Sequence, residues 1–262
     1  MASRDIDTSV AHPARVYDYW LGGKDHFAAD RAAAEEVLQV RPGIRLNVRA
    51  NRAFLARAVR YLAGEAGVRQ FLDVGTGIPS ANNTHEVAHS VDPEARVVYV
   101  DNDPIVLAHA RALLTSASGR TAYIDADLRD TAAILAQAAE TLDFSQPVAV
   151  MLIAVLHLIP DADDPWDVVA RLMRAVAPGS YLVISHPASD VEAPSAAHAA
   201  SRYNDLVASP MRRRSKDEVA RFFAGLDMAE PGLVQLYRWR PADGDPVAPS
   251  SGYGGIARKP RG

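Results

Sequence analysis

Cysteine does not occur in the 262 residues. Disulfides, thiolate nucleophiles and cysteine-held metals are therefore excluded, and no metal site is expected. Lysine is nearly missing as well: of 28 basic residues only Lys24, Lys216 and Lys259 are lysines. Basic charge is in deficit, with a net charge of −4. That weighs against bulk nucleic-acid binding, which leans on a basic face. No apolar run reaches the roughly 20 residues that span a bilayer. The longest, "VAVMLIAVLHLIP", suits a buried strand and its exit. The first ten residues are polar and lack the apolar stretch of a secretory leader. These absences describe a cytoplasmic protein with no membrane or nucleic-acid partner.

What remains is the balance of a globular chain, 48% hydrophobic and 23% charged, long enough to bury a substantial core. Residues 1–12 read as a disordered start. Residues 13–68 read as a helical, Ala/Arg-rich unit, broken at Gly22-Gly23 and Pro42-Gly43. Its clearest helix is "NVRANRAFLARAVRYLAGEAG", where Val48, Phe54, Leu55, Val59 and Leu62 share one face. From residue 69 to 262 the pattern changes to short apolar strands alternating with helices. "RQFLDVG", "ARVVYVDND", "TAYIDAD", "PVAVMLIAVL" and "SYLVISH" read as five strands. Helices are expected from Pro104 to about 117, over about 131–140, and from about 165 to just before Pro178. Such alternation with short joins predicts right-handed crossovers and a mainly parallel sheet covered on both faces. Residues 187–214 read as an insertion. "SKDEVARFFAGL" opens with a capping box, Ser215 and Glu218. "LVQLYRWRP" and "GYGGIARKP" are candidate closing strands.

Ligands of an open parallel sheet bind beyond the carboxyl ends of the strands. At the first exit, "DVGTGIP", Gly75 and Gly77 permit a tight turn around Thr76, and Asp73 stands just inside it. At the second, "YVDNDP", Asp101 can accept both hydroxyls of a ribose. At the third, "DADLRD", Asp127 can accept from an adenine amino group. At the fourth, "AVLHLIPD", His157 follows Ala154 at the mouth of the same crevice. The fifth ends in His186. Each has a plainer alternative: Asp101 and Asp127 can cap the following helices, and either histidine can be structural. A dinucleotide site is the rival reading of the glycine turn. Ser80 takes the place of the third small residue of that fingerprint, and Pro79 interrupts the helix start. Asp73 beside the turn repels a pyrophosphate but suits an ammonium or sulfonium. The pattern favours S-adenosyl-L-methionine, with S-adenosyl-L-homocysteine as product.

"FLDVGTGIP", "VVYVDNDP", "DADLRD", "VAVMLIAVLHLIPD" and "APGSYLVISH" together resemble the class I S-adenosylmethionine-dependent methyltransferases. More narrowly, "ARVYDYWLGGKDHFAADR", "RANRAFLARAVRYL" and "GVRQFLDVGTGIP" are similar to a bacterial S-adenosyl methyltransferase family long listed as a domain of unknown function. The resemblance runs from about residue 12 to 259. It implies a Rossmann-like α/β fold, a doubly wound seven-stranded sheet, mostly parallel with its last strand antiparallel, under an N-terminal helical cap. It implies Asp73, Gly75, Thr76 and Gly77 beside the methionine part of the cofactor, Asp101 with Asn102 at the ribose, and Asp127 with Leu128 at the adenine. Ala154 joins this set. If the crevice holds that cofactor, "YDYWLGGKDHF" is its expected cover. Gly22 would turn over it, Lys24 would pair with its carboxylate or with an acceptor anion, and Tyr17, Tyr19 or Trp20 would face the sulfonium. Arg15, Asn51 and Arg52 are further partners for the carboxylate.

The expected reaction is methyl transfer to a small-molecule acceptor, with His157 and His186 as candidate bases and Asp190 and Tyr203 as weaker ones. Two alternatives stand beside it: a regulatory protein that binds the cofactor without transfer, and an NAD-dependent oxidoreductase. "MRRRSK" reads as a solvated basic face. Nothing in the sequence decides between monomer and homodimer.

Overall fold

The computed structural model describes residues 7–113, 120–191, 201–207, 210–242, 245 and 250–261. Three helices come first: α1 (Pro13–Leu21), α2 (Ala28–Val40) and α3 (Ile44–Arg60), the last continuing as a turn of π-helix over Tyr61–Glu65. Proline opens α1, where its missing N–H costs nothing. Gly22 closes it in the left-handed region, φ 88°. The second glycine is needed too, because a Cβ on Gly23 would lie 1.9 Å from Asp18 Oδ1.

The sheet follows, as β1 (Gln70–Val74), β2 (Arg96–Asp101), β3 (Thr121–Asp125), β4 (Ala149–Ile153) and β5 (Tyr181–Pro187). Between them run α4 (Thr84–Val91), α5 (Pro104–Leu113), α6 (Thr131–Ala138) and α7 (Pro165–Ala175). A short helix α8 (Lys216–Ala220) begins at the Ser215–Glu218 capping box that the sequence predicts. The chain closes with β6 (Asp227–Met228), β7 (Val234–Gln235) and β8 (Gly252–Arg258).

Among the described residues the sheet has eight strands in the order β3-β2-β1-β4-β5-β8-β6, with β7 also on β8. β1 to β5 are parallel and β8 is antiparallel to β5. The expectation of seven strands differs by one for a local reason. β6 and β7 lie on the same edge of β8, as two short pieces of one interrupted edge strand. Pro231 and Gly232 fall in the interruption, where a ladder donor is missing and the backbone turns. "LVQLYRWRP" therefore contributes two strand residues and then a 3-10 turn, Leu236–Arg238.

Helices cover both faces. One core unites Leu72, Val98, Val150 and Leu182 with Ile134, Leu172 and Phe222. The other packs Phe54, Val59 and Leu62 of the α3 segment and Trp239 against Phe71, Met151 and Val183. A third cluster joins Val16 and Trp20 of α1, Ala33 and Val37 of α2, Val48 of α3 and Tyr203. Residues 1–6 of the expected irregular start and 114–119 of the expected α5 extension lie outside the described residues, as do 192–200 and 208–209 of the insertion. Within the insertion, Val207 bridges Ala11 and Arg214 bridges Ala188. No helix among the described residues is long and apolar enough to cross a membrane.

Candidate functional site

Register brings the strand exits level: Asp73 pairs across from Tyr99, Val74 from Val100, and Asp101 from Asp125. Beyond them opens a crevice of about 190 Å³ whose far wall is α1 and α3. Its lining includes Asn51, Asp73, Gly75, Thr76, Gly77, Asp101, Asn102, Asp127, Leu128, Ala154 and His157.

The glycine turn is held from below. Gly75 N–H donates to Val100 O at 2.8 Å, and Gly77 N–H to Asp101 Oδ2 at 2.8 Å. Gly75 has φ 75°, and a Cβ there would lie 2.2 Å from Val155 Cγ2. Gly77, at φ 67°, has nothing within 4 Å of such a Cβ. One glycine is thus demanded by strand packing and the other leaves room above the turn. Gly75→Ala should cost about 2–4 kcal/mol from left-handed strain and overpacking. Thermal unfolding should fall by roughly 5–10 °C, and an unchanged melting temperature would refute this account.

Asp73 is 3% exposed. Its Oδ2 accepts from Thr84 Oγ at 2.6 Å. Burial pushes its carboxyl up to about 6, against the Thr84 hydrogen bond and the nearby Arg52, which lower it. Burial raises Asp101 as well, although its oxygens accept from the Gly77 and Asp103 amides. Neither Asp101 nor Asp127 caps the helix beyond it. Asp103 accepts from the Ile105 amide at 2.9 Å at the start of α5, and Asp130 accepts from the Ala133 amide at 3.1 Å in α6. Asp127 instead receives a fork from Arg129, 2.8 and 2.6 Å, which holds its carboxyl below the usual range.

Helical spacing sorts the "YDYWLGGKD" stretch. Tyr17, Asp18, Trp20 and Leu21 face the crevice. Four expected cofactor residues stay outside its lining. Tyr19 gives its hydroxyl to Glu35, with Arg45 over its ring. Lys24 is exposed. Gly22 is the α1 cap. The buried Arg15 donates to Asp7 O and Val10 O and sits 3.3 Å from Asp30. The Gly-Gly pair therefore ends a helix against Asp18 and does not turn over the crevice. Arg52 lines the crevice, yet it donates to Ala81 O and Asn82 O, fastening the loop before α4.

A second chamber, about 110 Å³, lies alongside. Tyr17, Trp20, Asn51, Ala154, His157, Tyr203 and Met211 line both spaces. A string of hydrogen bonds crosses this shared wall. Ala154 N–H donates to Ser185 Oγ (2.9 Å), which donates to Asn51 Oδ1 (2.5 Å). Asn51 Nδ2 donates to Tyr17 Oη (2.9 Å), which donates to Val48 O (3.2 Å). The helical cap is thereby tied to the ends of β4 and β5. Ala154 holds φ 51°, rare for a residue with a side chain.

The two candidate bases part company here. His186 Nε2 accepts from Arg214 at 2.9 Å, and its Nδ1 lies 2.9 Å from Pro187 O. Burial and then His157 lower its pKa to about 3, so it is neutral at pH 7 and its ring faces Arg214 and Pro187 O. His157 has a buried Nδ1 without a partner among the described residues. Burial and then Arg214 lower it to about 4, so it is neutral at pH 7. Arg214 itself corrects the reading of "MRRRSK" as a solvated face. It is 0% exposed and donates to Leu156 O, Ile159 O and Asp161, closing the loop that carries His157. Asp190 is held by Tyr253 and the Lys216 amide, away from both cavities. Sequence reasoning missed Asp18, Met211 and the burial of Arg214. The i, i+3, i+4 pattern of α1 carried a signal for Asp18; nothing local marked the others.

A parallel β3-β2-β1-β4-β5 sheet ending in an antiparallel strand, with aspartates at three successive strand exits, defines a class I methyltransferase fold. The model of a family described as S-adenosyl methyltransferase matches residues 1–260. The chain belongs to that family, and S-adenosyl-L-methionine is its cofactor. A DUF574 family protein from Streptomyces avermitilis MA-4680 is 45% identical, with 98% of this chain and 100% of that one covered and a TM-score of 0.93. A candidate methyltransferase from Thermobifida fusca YX is 43% identical, with 97% of each chain covered and a TM-score of 0.90. The Burkholderia thailandensis 1,6-didemethyltoxoflavin-N1-methyltransferase shares the fold, at 17% identity, 88% of each chain and a TM-score of 0.52. No curated protein sequence matches the chain.

Proposed function

We propose that this protein transfers the methyl group of S-adenosyl-L-methionine to a small-molecule acceptor seated in the second chamber. The observation that carries the reading is the shared wall, where His157 and Asn51 belong to both cavities. Donor and acceptor held in the two spaces meet there, and fixing that meeting is the main contribution an enzyme makes to such a displacement. The residues fit the cofactor. The buried Asp73 carboxylate suits its ammonium, and Gly77 leaves backbone room beside it. Asp101 and Asn102 suit the ribose, and Asp127 with Leu128 the adenine end. Tyr17 and Trp20 can offer ring faces to the sulfonium, an attraction of about 0.5–2 kcal/mol.

When bound, the cofactor supplies an electrophilic methyl: an acceptor lone pair bonds to its carbon while the carbon–sulfur pair stays on sulfur, leaving S-adenosyl-L-homocysteine. The chain's own part is to exclude water, hold the two molecules in line and receive a proton. His157, which lines both spaces and is neutral at pH 7, is the base in this reading.

Calorimetric titration tests this reading. S-adenosyl-L-methionine and S-adenosyl-L-homocysteine should bind saturably and NAD should not. Asp101→Ala should weaken S-adenosyl-L-homocysteine at least tenfold, whereas Lys24→Ala should leave it unchanged. Binding of NAD alone would overturn the assignment.

A further inference from the structure

One guanidinium grips the Asp127 carboxylate on both oxygens. Arg129 Nε donates to Oδ1 at 2.8 Å and Nη2 to Oδ2 at 2.6 Å, and the Arg129 amide adds a bond to Oδ1 at 2.9 Å. A two-point fork fixes the plane of a carboxylate, where a single bond leaves it free to turn. The remaining arm is used as well: Arg129 Nη1 donates to Asp163 Oδ2 at 2.8 Å. Asp163 ends the short 3-10 turn Asp161–Asp163, in the segment that follows β4 and carries His157. Asp161 of that turn is held in its own right, by Arg214 at 2.7 Å. The fork thus hangs between two strand exits, and swinging it away from Asp127 would also release Asp163. Stability does not account for the arrangement. The side chains of Arg129, Asp127 and Asp163 are 53%, 33% and 35% exposed, and ion pairs in such positions add little to folding. Capping does not account for it either, since Asp130 caps α6. What Asp127 and Arg129 share is place, because both line the crevice. Pairing also changes what Asp127 can recognise. A bare carboxylate favours a cation, whereas one whose charge is already matched by a guanidinium suits an uncharged N–H donor.

We propose that Arg129 is a positioning residue for cofactor recognition: it aims the Asp127 carboxylate to accept from the 6-amino group of adenine and to turn away a 6-oxo purine. The proposal rests on the methyltransferase reading of the crevice and adds to it the part that selects the base. An amino group at position 6 donates to a fixed acceptor. A 6-oxo group is itself an acceptor, and two acceptors set face to face repel. A carboxylate free to rotate could turn its oxygens aside from either base, losing the attraction for one and relieving the repulsion of the other. The pinned plane prevents that relief. Asp163 acts one step further out, by holding Arg129 from its other side.

The test is calorimetry on the full-length protein with two probes, S-adenosyl-L-homocysteine and S-inosyl-L-homocysteine, which carries a 6-oxo group in place of the 6-amino group. Wild type should bind the adenosyl compound at least about tenfold more tightly. Arg129→Met should shrink that ratio about fivefold or more, while melting within about 2 °C of wild type. Arg129→Lys keeps the charge without the fork, so it should shrink the ratio as methionine does. Asp163→Asn should shrink it by less. A merely structural role would weaken both probes together and leave the ratio where it was. If Arg129→Met fails to fold, Arg129→Lys carries the same comparison. A ratio unchanged in either Arg129 variant overturns the proposal, and so does a wild type that binds the two probes alike. The methyltransferase reading survives both results. Failure of wild type to bind either probe would strike both.

Discussion

Asp73→Asn should make the ligand-free protein more stable at neutral pH and a poorer binder of its cofactor. Both effects have one cause, a carboxylate placed in a site that desolvates it. Its acidity stands at about 6 in the folded chain, above the ordinary value near 3.9 of an unfolded one. The folded state therefore holds the extra proton between those values. The stability this contributes is fully present below about pH 4 and is lost as pH rises through about 6. Above that pH the ionised group costs up to about 3 kcal/mol, which a neutral asparagine avoids. The variant should melt higher than wild type at pH 7.5 and no higher at pH 3.5. Cofactor binding reverses the sign, because an ammonium beside Asp73 favours the ionised form. Wild-type affinity should fall as pH drops below about 6, with a proton released on binding. At pH 7.5 the variant should lose about thirtyfold, the worth of a charged hydrogen bond of about 2 kcal/mol. Equal affinities of the two proteins at pH 7.5 would remove Asp73 from the cofactor.

Arg214→Met should be the most damaging single change outside the crevice. The side chain is fully buried, bonded to two carbonyls, a carboxylate and His186, and stacked over Trp166 and Phe222 at 5.2 and 5.7 Å. Methionine fills much of the volume but leaves Ile159 O without that donor and Leu156 O with only the Ile159 amide at 3.3 Å. A loss of about 3–5 kcal/mol follows from breaking such a buried set, or roughly 10 °C in melting temperature. A second readout separates site geometry from bulk stability. Burial and then the Arg214 charge hold the His157 pKa low, so histidine resonances followed by NMR in the variant, below its melting point, should show His157 titrating at higher pH. An unmoved His157 would mean that Arg214 supports the fold without shaping the base.

The crevice was legible because its parts are local. A strand, a glycine turn and an acidic strand tip each announce themselves within a few residues, and parallel register then brings Asp73, Asp101 and Asp127 together. The cap was legible only as helices. Which face of α1 looks inward depends on how it docks, so Lys24 and Tyr19 drew attention by rarity and ring chemistry while Asp18 passed unnoticed. The loop of His157 was least legible. Its clamp comes from Arg214, more than 50 residues downstream in an arginine run whose neighbours Arg212 and Arg213 are not fully buried. The contact of His186 with that same distant arginine was equally invisible locally.

The position of β8 carries a consequence for how the chain is completed. This strand comes last in sequence yet lies inside the sheet, paired with β5 over seven residues and with β6 and β7 on its other side. Until it inserts, β5 presents an open row of amides and carbonyls, with strongly apolar side chains on either face. A bare edge of that kind recruits strands from other molecules. Shortened chains ending before Gly252 are thus not smaller versions of the protein; they are seeds for edge-to-edge assembly.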